Sequence, residues 1–148
     1  DVVTVSIMGR KDVVSAQGVT VAADELFEAI SFDGGDAFVL PGGGVGTDNL
    51  SAYEPLRFLL KEAAADGKLL AAICAAPMVL GKRGYLKGKA AVCFPGFEEY
   101  LEGAILQPKG VKVAVDGKIK MCAWVNDDHG STQIRRIFHT LNYFVLVV

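Results

Sequence analysis

Cysteine is scarce in this 148-residue chain: three residues, an odd number, with no CxxC spacing. That fits a reducing compartment better than a disulfide framework. Lysine and arginine (15) are balanced by aspartate and glutamate (17), and no basic stripe with interleaved aromatics occurs. A nucleic-acid surface is therefore not expected. No apolar run is long enough to span a bilayer, because charges or glycines interrupt each one. The first residues, from Asp1, read as a strand and not as a signal peptide, so a cytoplasmic location is expected. Internal repeats, low-complexity stretches and linkers are also lacking, and one domain over 1–148 is the simplest organisation.

What is present is apolar: 51% of the residues are hydrophobic, enough for a substantial core without staples. Val2 to Ile7 is rich in β-branched residues and reads as a strand. Gly9 to Ser15 reads as a turn or hairpin, and Gly18 to Ala22 as a further extended piece. Asp24 is placed to cap a brief helix through Ile30. Ala37-Phe38-Val39-Leu40 is a continuous apolar run, typical of a strand buried on both faces. Ser51-Ala52-Tyr53-Glu54 has the form of a capping box and predicts a helix to about Asp66, ended by Gly67. Lys89 to Phe94 reads as a strand, with a helical turn from Phe97 to Leu101. Asp116-Gly117 between Val111–Val115 and Lys118–Cys122 is a hairpin signal. Ile134, Ile137, Phe138 and Leu141 predict an amphipathic helix from Ser131 or Thr132. Strands alternating with helices predict an α/β sandwich around a mainly parallel sheet.

The most informative stretch is Lys68 to Pro77, an apolar run that ends at Cys74-Ala75-Ala76-Pro77. It reads as a buried strand, a sharp turn carrying a thiol, and a helix from about Ala76 to Lys82. Amides at a helix start favour thiolate over thiol. In open parallel sheets, ligands sit beyond the carboxyl ends of strands. Two loops leave such ends here, Pro41 to Gly46 and Cys74 to Pro77. Glycines at 42 and 43 allow close backbone approach and inward N–H groups. If Cys74 attacks a carbonyl carbon, the Gly43 and Ala75 amides are candidates to stabilise the oxyanion. The glycine run is no nucleotide fingerprint, since it lacks GxGxxG spacing and a following lysine–serine pair.

Leu40-Pro41-Gly42-Gly43, Asn49-Leu50, Ala71 to Pro77 and Cys93-Phe94-Pro95-Gly96-Phe97-Glu98-Glu99 together resemble the ThiJ/PfpI superfamily. The similarity runs from about Asp1 to Ile119 and is nearest the Parkinson-disease-associated deglycase branch and its bacterial relatives. The resemblance implies a flavodoxin-like sandwich, related to class I glutamine amidotransferases, and a homodimer. It implies that Cys74 is the reactive, oxidation-prone cysteine. The activities it implies are glyoxalase without glutathione, deglycation of methylglyoxal adducts, and stress-related chaperone behaviour. Relatives open with a strand, a loop carrying a glutamate that hydrogen-bonds the cysteine, and a helix; this chain begins at the family's second strand. Glu98 and Glu99 belong to the later motif and do not take that glutamate's role. The tail over 120–148 is atypical, and Tyr143 to Val148, with a buried-strand composition, is a candidate to fill the first strand's place.

Other candidates are weaker. Cys93 is a possible resolving cysteine or a small buried hydrophobe, and Cys122 is structural. Asp127, Asp128 and His129 read as a polar loop, and His139 as solvated. Ala75 follows the nucleophile where a protease carries histidine, and Phe94 holds the other histidine place, so a Cys-His dyad is not expected. The leading expectation is cysteine-dependent chemistry on a small aldehyde or a glycated substrate. A non-catalytic oxidative sensor or chaperone, and an inactive homologue, are the alternatives. No motif calls for a cofactor or metal.

Overall fold

A computed structural model describes residues 1–15, 17–123 and the strand 144–147. The chain opens with β1 (Val2–Ser6), a hairpin of β2 (Asp12–Val14) and β3 (Thr20–Ala22), and the short β4 (Glu25–Leu26). Then come β5 (Ala37–Leu40), α1 (Gly44–Ala52), α2 (Glu54–Ala65), β6 (Leu69–Ile73) and α3 (Pro77–Gly81). A small parallel pair, β7 (Ala90–Ala91) and β8 (Ile105–Leu106), precedes the hairpin β9 (Val113–Asp116) and β10 (Ile119–Cys122). The last described strand is β11 (Phe144–Val147).

Seven strands form the main sheet in the order β4-β1-β11-β5-β6-β10-β9, parallel throughout except for the β9–β10 hairpin. This is the flavodoxin-like α/β arrangement the sequence predicts. β5 and β6 are apolar along their whole length because both faces of a central parallel strand are covered. Alternate residues serve opposite faces. Phe38, Leu40, Leu70 and Ala72 join the large core with Leu50, Leu56, Leu60 and Val79, while Ala37, Leu69 and Ala71 cluster separately. β11 lies between β1 and β5, with Val145 opposite Val3 on one side and Phe38 on the other. The terminal apolar segment thus occupies a central place in the sheet. Ser131 to Leu141, His129, His139 and the ends Tyr143 and Val148 lie outside the described residues.

Four local expectations are corrected. Asp24 caps no helix: its carboxylate accepts the Thr4 N–H at 2.8 Å and hydroxyl at 2.6 Å, tying β1 to the strand that follows it. Only a 3-10 turn, Phe27–Ala29, forms there. The capping box is also absent, because Ser51 lies inside α1 and Tyr53 caps α2 without a side-chain bond. Pro55 explains the break, since it has no N–H to give the Ser51 carbonyl four residues back. That carbonyl instead accepts Arg83 Nη2 at 2.9 Å, while Arg83 Nη1 bonds the Val79 carbonyl at 2.8 Å. One guanidinium therefore clamps the end of α1 to α3. The glycine loop, third, is shorter than expected, since α1 begins at Gly44. Finally, the strand expected over 89–94 is reduced to Ala90–Ala91, outside the main sheet. Lys89 and the Ala90 N–H are held by Asp116, and the Phe94 N–H turns to the Cys74 carbonyl. Among the described residues, no helix is long and apolar enough to cross a membrane.

Candidate functional site

Because β5 and β6 are adjacent and parallel, the loops leaving their carboxyl ends lie side by side. Cys74 is the first residue beyond β6. Its φ of 61° makes it the one non-glycine residue with positive φ among the described residues. A side chain in the left-handed region costs about 1–3 kcal/mol and persists only where its surroundings enforce it. The surroundings here are specific. The Cys74 N–H donates to the Cys122 carbonyl at 2.8 Å, and the Cys74 carbonyl accepts from Phe94 N–H at 2.7 Å. The Ala76 N–H closes the turn on the Ile73 carbonyl at 3.0 Å. β10 and the segment after β7 therefore grip the elbow from both sides.

The glycine loop supplies the third wall. A Cβ built on Gly42 would stand 2.5 Å from Cys74 Cβ, 2.8 Å from the Ile73 carbonyl oxygen and 3.3 Å from Cys74 Sγ. Gly42 is glycine because the cysteine side chain occupies that space. Gly43, with φ 99°, is the N-cap of α1, and its carbonyl accepts the Thr47 N–H at 2.9 Å. Among the described residues, no acceptor takes the amides of Gly43 or Ala75. The structure thus brings Cys74, Gly42, Gly43 and Ala75 to one place.

The helix expected to begin at Ala76 is α3, only five residues long. The elbow, more than any helix end, is what presents the thiol. Cys74 is half-buried, whereas Cys93 and Cys122 are buried. Burial pushes the Cys93 thiol up to about 11, with Glu98's charge adding to it, and burial also raises the Cys122 thiol. Both are held as neutral thiols near neutral pH. Phe94 holds the elbow through its backbone N–H, and its side chain is no base.

One feature escaped the sequence reading. Cys93, Glu98, Gln107, Lys109 and Lys112 line a crevice of about 350 Å³ beside the elbow. Its walls come from the two-residue strands β7 and β8 and the loops around them, segments too short to leave a periodic pattern.

A mainly parallel α/β sheet with a cysteine elbow against a glycine loop places the molecule among flavodoxin-like proteins. Within that class the chain belongs to the DJ-1/PfpI family, which it matches over residues 1–127. It is 37% identical over 120 residues to protein DJ-1 homolog B of Arabidopsis thaliana, covering 80% of this chain and 27% of that protein. A deglycase of Pyrococcus abyssi is 31% identical over 115 residues, 78% of this chain and 69% of the relative. Among solved structures, the oxidized DJ-1 of Toxoplasma gondii superposes with a TM-score of 0.81 at 30% identity, covering 93% of this chain and 76% of that one. The chain spans about a quarter of the length of its Arabidopsis relative.

Proposed function

We propose that the chain carries out cysteine-dependent glyoxalase or deglycase chemistry on reactive carbonyls, methylglyoxal or its protein adducts, with Cys74 as nucleophile. The observation that carries this reading is the strained Cys74 elbow packed against Gly42. Family relatives named deglycases support it. The Cys74 sulfur adds to the aldehyde carbon, forming a C–S bond as the carbonyl π pair moves to oxygen. The Gly43 and Ala75 amides, which have no acceptor among the described residues, would stabilise that oxygen, and one such donor is worth about 3 kcal/mol in related sites. The hemithioacetal then takes up a proton. A homodimer and a cytoplasmic location belong to the same proposal.

Lactate formation from methylglyoxal without glutathione tests it, in the wild type and in Cys74→Ser. Turnover lost with the thiol is the expected result. Equal turnover in both would refute the role of Cys74. A redox-sensing role for the same thiol is the second reading, favoured by the two buried cysteines beside the elbow.

A further inference from the structure

We infer that Cys93 is the resolving partner of Cys74, so that mild oxidation closes a reversible disulfide beneath the elbow. The inference rests on the reading of Cys74 as a reactive thiol. The 2.7 Å hydrogen bond from Phe94 N–H to the Cys74 carbonyl fixes the two backbones against each other. Standard bond lengths then hold the Cα atoms of Cys74 and Cys93 within about 7 Å, the outer edge of what a disulfide spans.

Cys122 is also near, since its carbonyl accepts the Cys74 N–H. The two candidates differ in freedom. Cys122 ends β10 in register with both Ile73 and Val113, so ladders on both sides hold its backbone. Cys93 lies beyond the two-residue β7, on irregular chain, and borders the 350 Å³ crevice. That space lets its side chain swing and lets water leave.

The chemistry balances with a hydroperoxide as oxidant. Cys74 sulfur attacks the terminal oxygen, an S–O bond forms, the O–O bond breaks, and water or an alcohol departs. Cys93 sulfur then attacks the Cys74 sulfenic acid. The S–S bond forms, the S–O bond breaks, and the hydroxide released takes the Cys93 proton as water. Two thiols lose two electrons and the peroxide gains them.

The test treats reduced protein with equimolar hydrogen peroxide, blocks free thiols, and maps tryptic peptides without reductant. Peptides 69–82 and 90–109 joined together, and separated by dithiothreitol, are expected in wild type and in Cys122→Ser. In Cys93→Ser the bridge is lost, and Cys74 sulfinic acid rises about tenfold under repeated peroxide. Cys93→Ala provides the same arm should serine prevent folding. A Cys74–Cys122 bridge, or equal sulfinic acid with and without Cys93, would overturn the inference. Iodoacetamide labelling of the reduced protein separates the two readings. A Cys74 that alkylates but never bridges to Cys93 sinks this inference alone, whereas one that neither alkylates nor oxidises sinks both.

Discussion

Replacing Gly42 by alanine probes the elbow with a single methyl group. The φ of Gly42 lies outside the left-handed region, so the backbone itself accepts alanine. All of the penalty therefore comes from contact. The new Cβ would meet Cys74 Cβ at 2.5 Å and the Ile73 carbonyl oxygen at 2.8 Å, both too close for real atoms. Neither neighbour is the free end of a flexible chain. Overpacking of this kind costs about 1–3 kcal/mol. For a chain of this size each kcal/mol lowers Tm by about 2–4 °C, which predicts a fall of roughly 2–12 °C. Gly46→Ala is the control, since nothing lies within 4 Å of its Cβ and it sits inside α1. There alanine stabilises by about 0.5–1 kcal/mol. Differential scanning calorimetry reads both, and iodoacetamide labelling reads the Cys74 environment. A Gly42→Ala protein with unchanged Tm and unchanged labelling rate would refute the packing argument.

Other outcomes follow from the same geometry. At the positive φ of Cys74, Cys74→Gly is expected to exceed Cys74→Ala in urea-unfolding stability by about 1 kcal/mol, because glycine alone meets no penalty there. Arg83→Ala removes the guanidinium bonds to the Ser51 and Val79 carbonyls and is expected to cost about 2 kcal/mol or more in denaturant unfolding. Val145→Pro deletes an N–H from a strand paired on both sides, costing about 3 kcal/mol or more by the same assay. Tyr53 donates to the Glu28 carboxylate at 2.5 Å, which lowers Glu28, while burial first and then this bond raise Tyr53 to about 12. Glu28's depressed value means its stabilisation is present above its ordinary range near 4.5 and fades as pH falls through the depressed value. Tyr53's raised value means its contribution is present below its ordinary 10 and is lost as pH rises through about 12. The Tm difference between wild type and Tyr53→Phe is therefore expected to be flat between those limits and to shrink outside them.

The parts of the fold legible from sequence are those carried by uninterrupted apolar runs. Ala37 to Leu40 and Leu69 to Ile73 announce strands buried on both faces, and their ends mark the site. Cys74 and Gly42 were legible for the same reason, as the residues where those runs stop. Tyr143 to Val148 declared itself by composition, and Phe144–Val147 takes the central slot between β1 and β5. The boundaries that depend on tertiary partners were not legible. α1 starts in a glycine-rich segment of poor helix propensity, and it forms because Thr47 and Leu50 are buried against the core. The break at Tyr53 needs Pro55 and Arg83 together, 28 residues apart in sequence. Cys93 reads as a strand residue, yet its neighbour's N–H is drawn to Cys74 and out of any ladder.

The proposed carbonyl chemistry rests on Cys74 alone of the three cysteines. Stepwise iodoacetamide labelling tests it directly, with Cys74 occupancy read by peptide mass and methylglyoxal consumption read on the same samples. Cys93 at 8% exposure and Cys122 at 5% should stay unlabelled in the folded protein. Activity is expected to fall in proportion to the fraction of Cys74 modified and to reach zero when labelling is complete. Consumption that persists with Cys74 fully alkylated would contradict it.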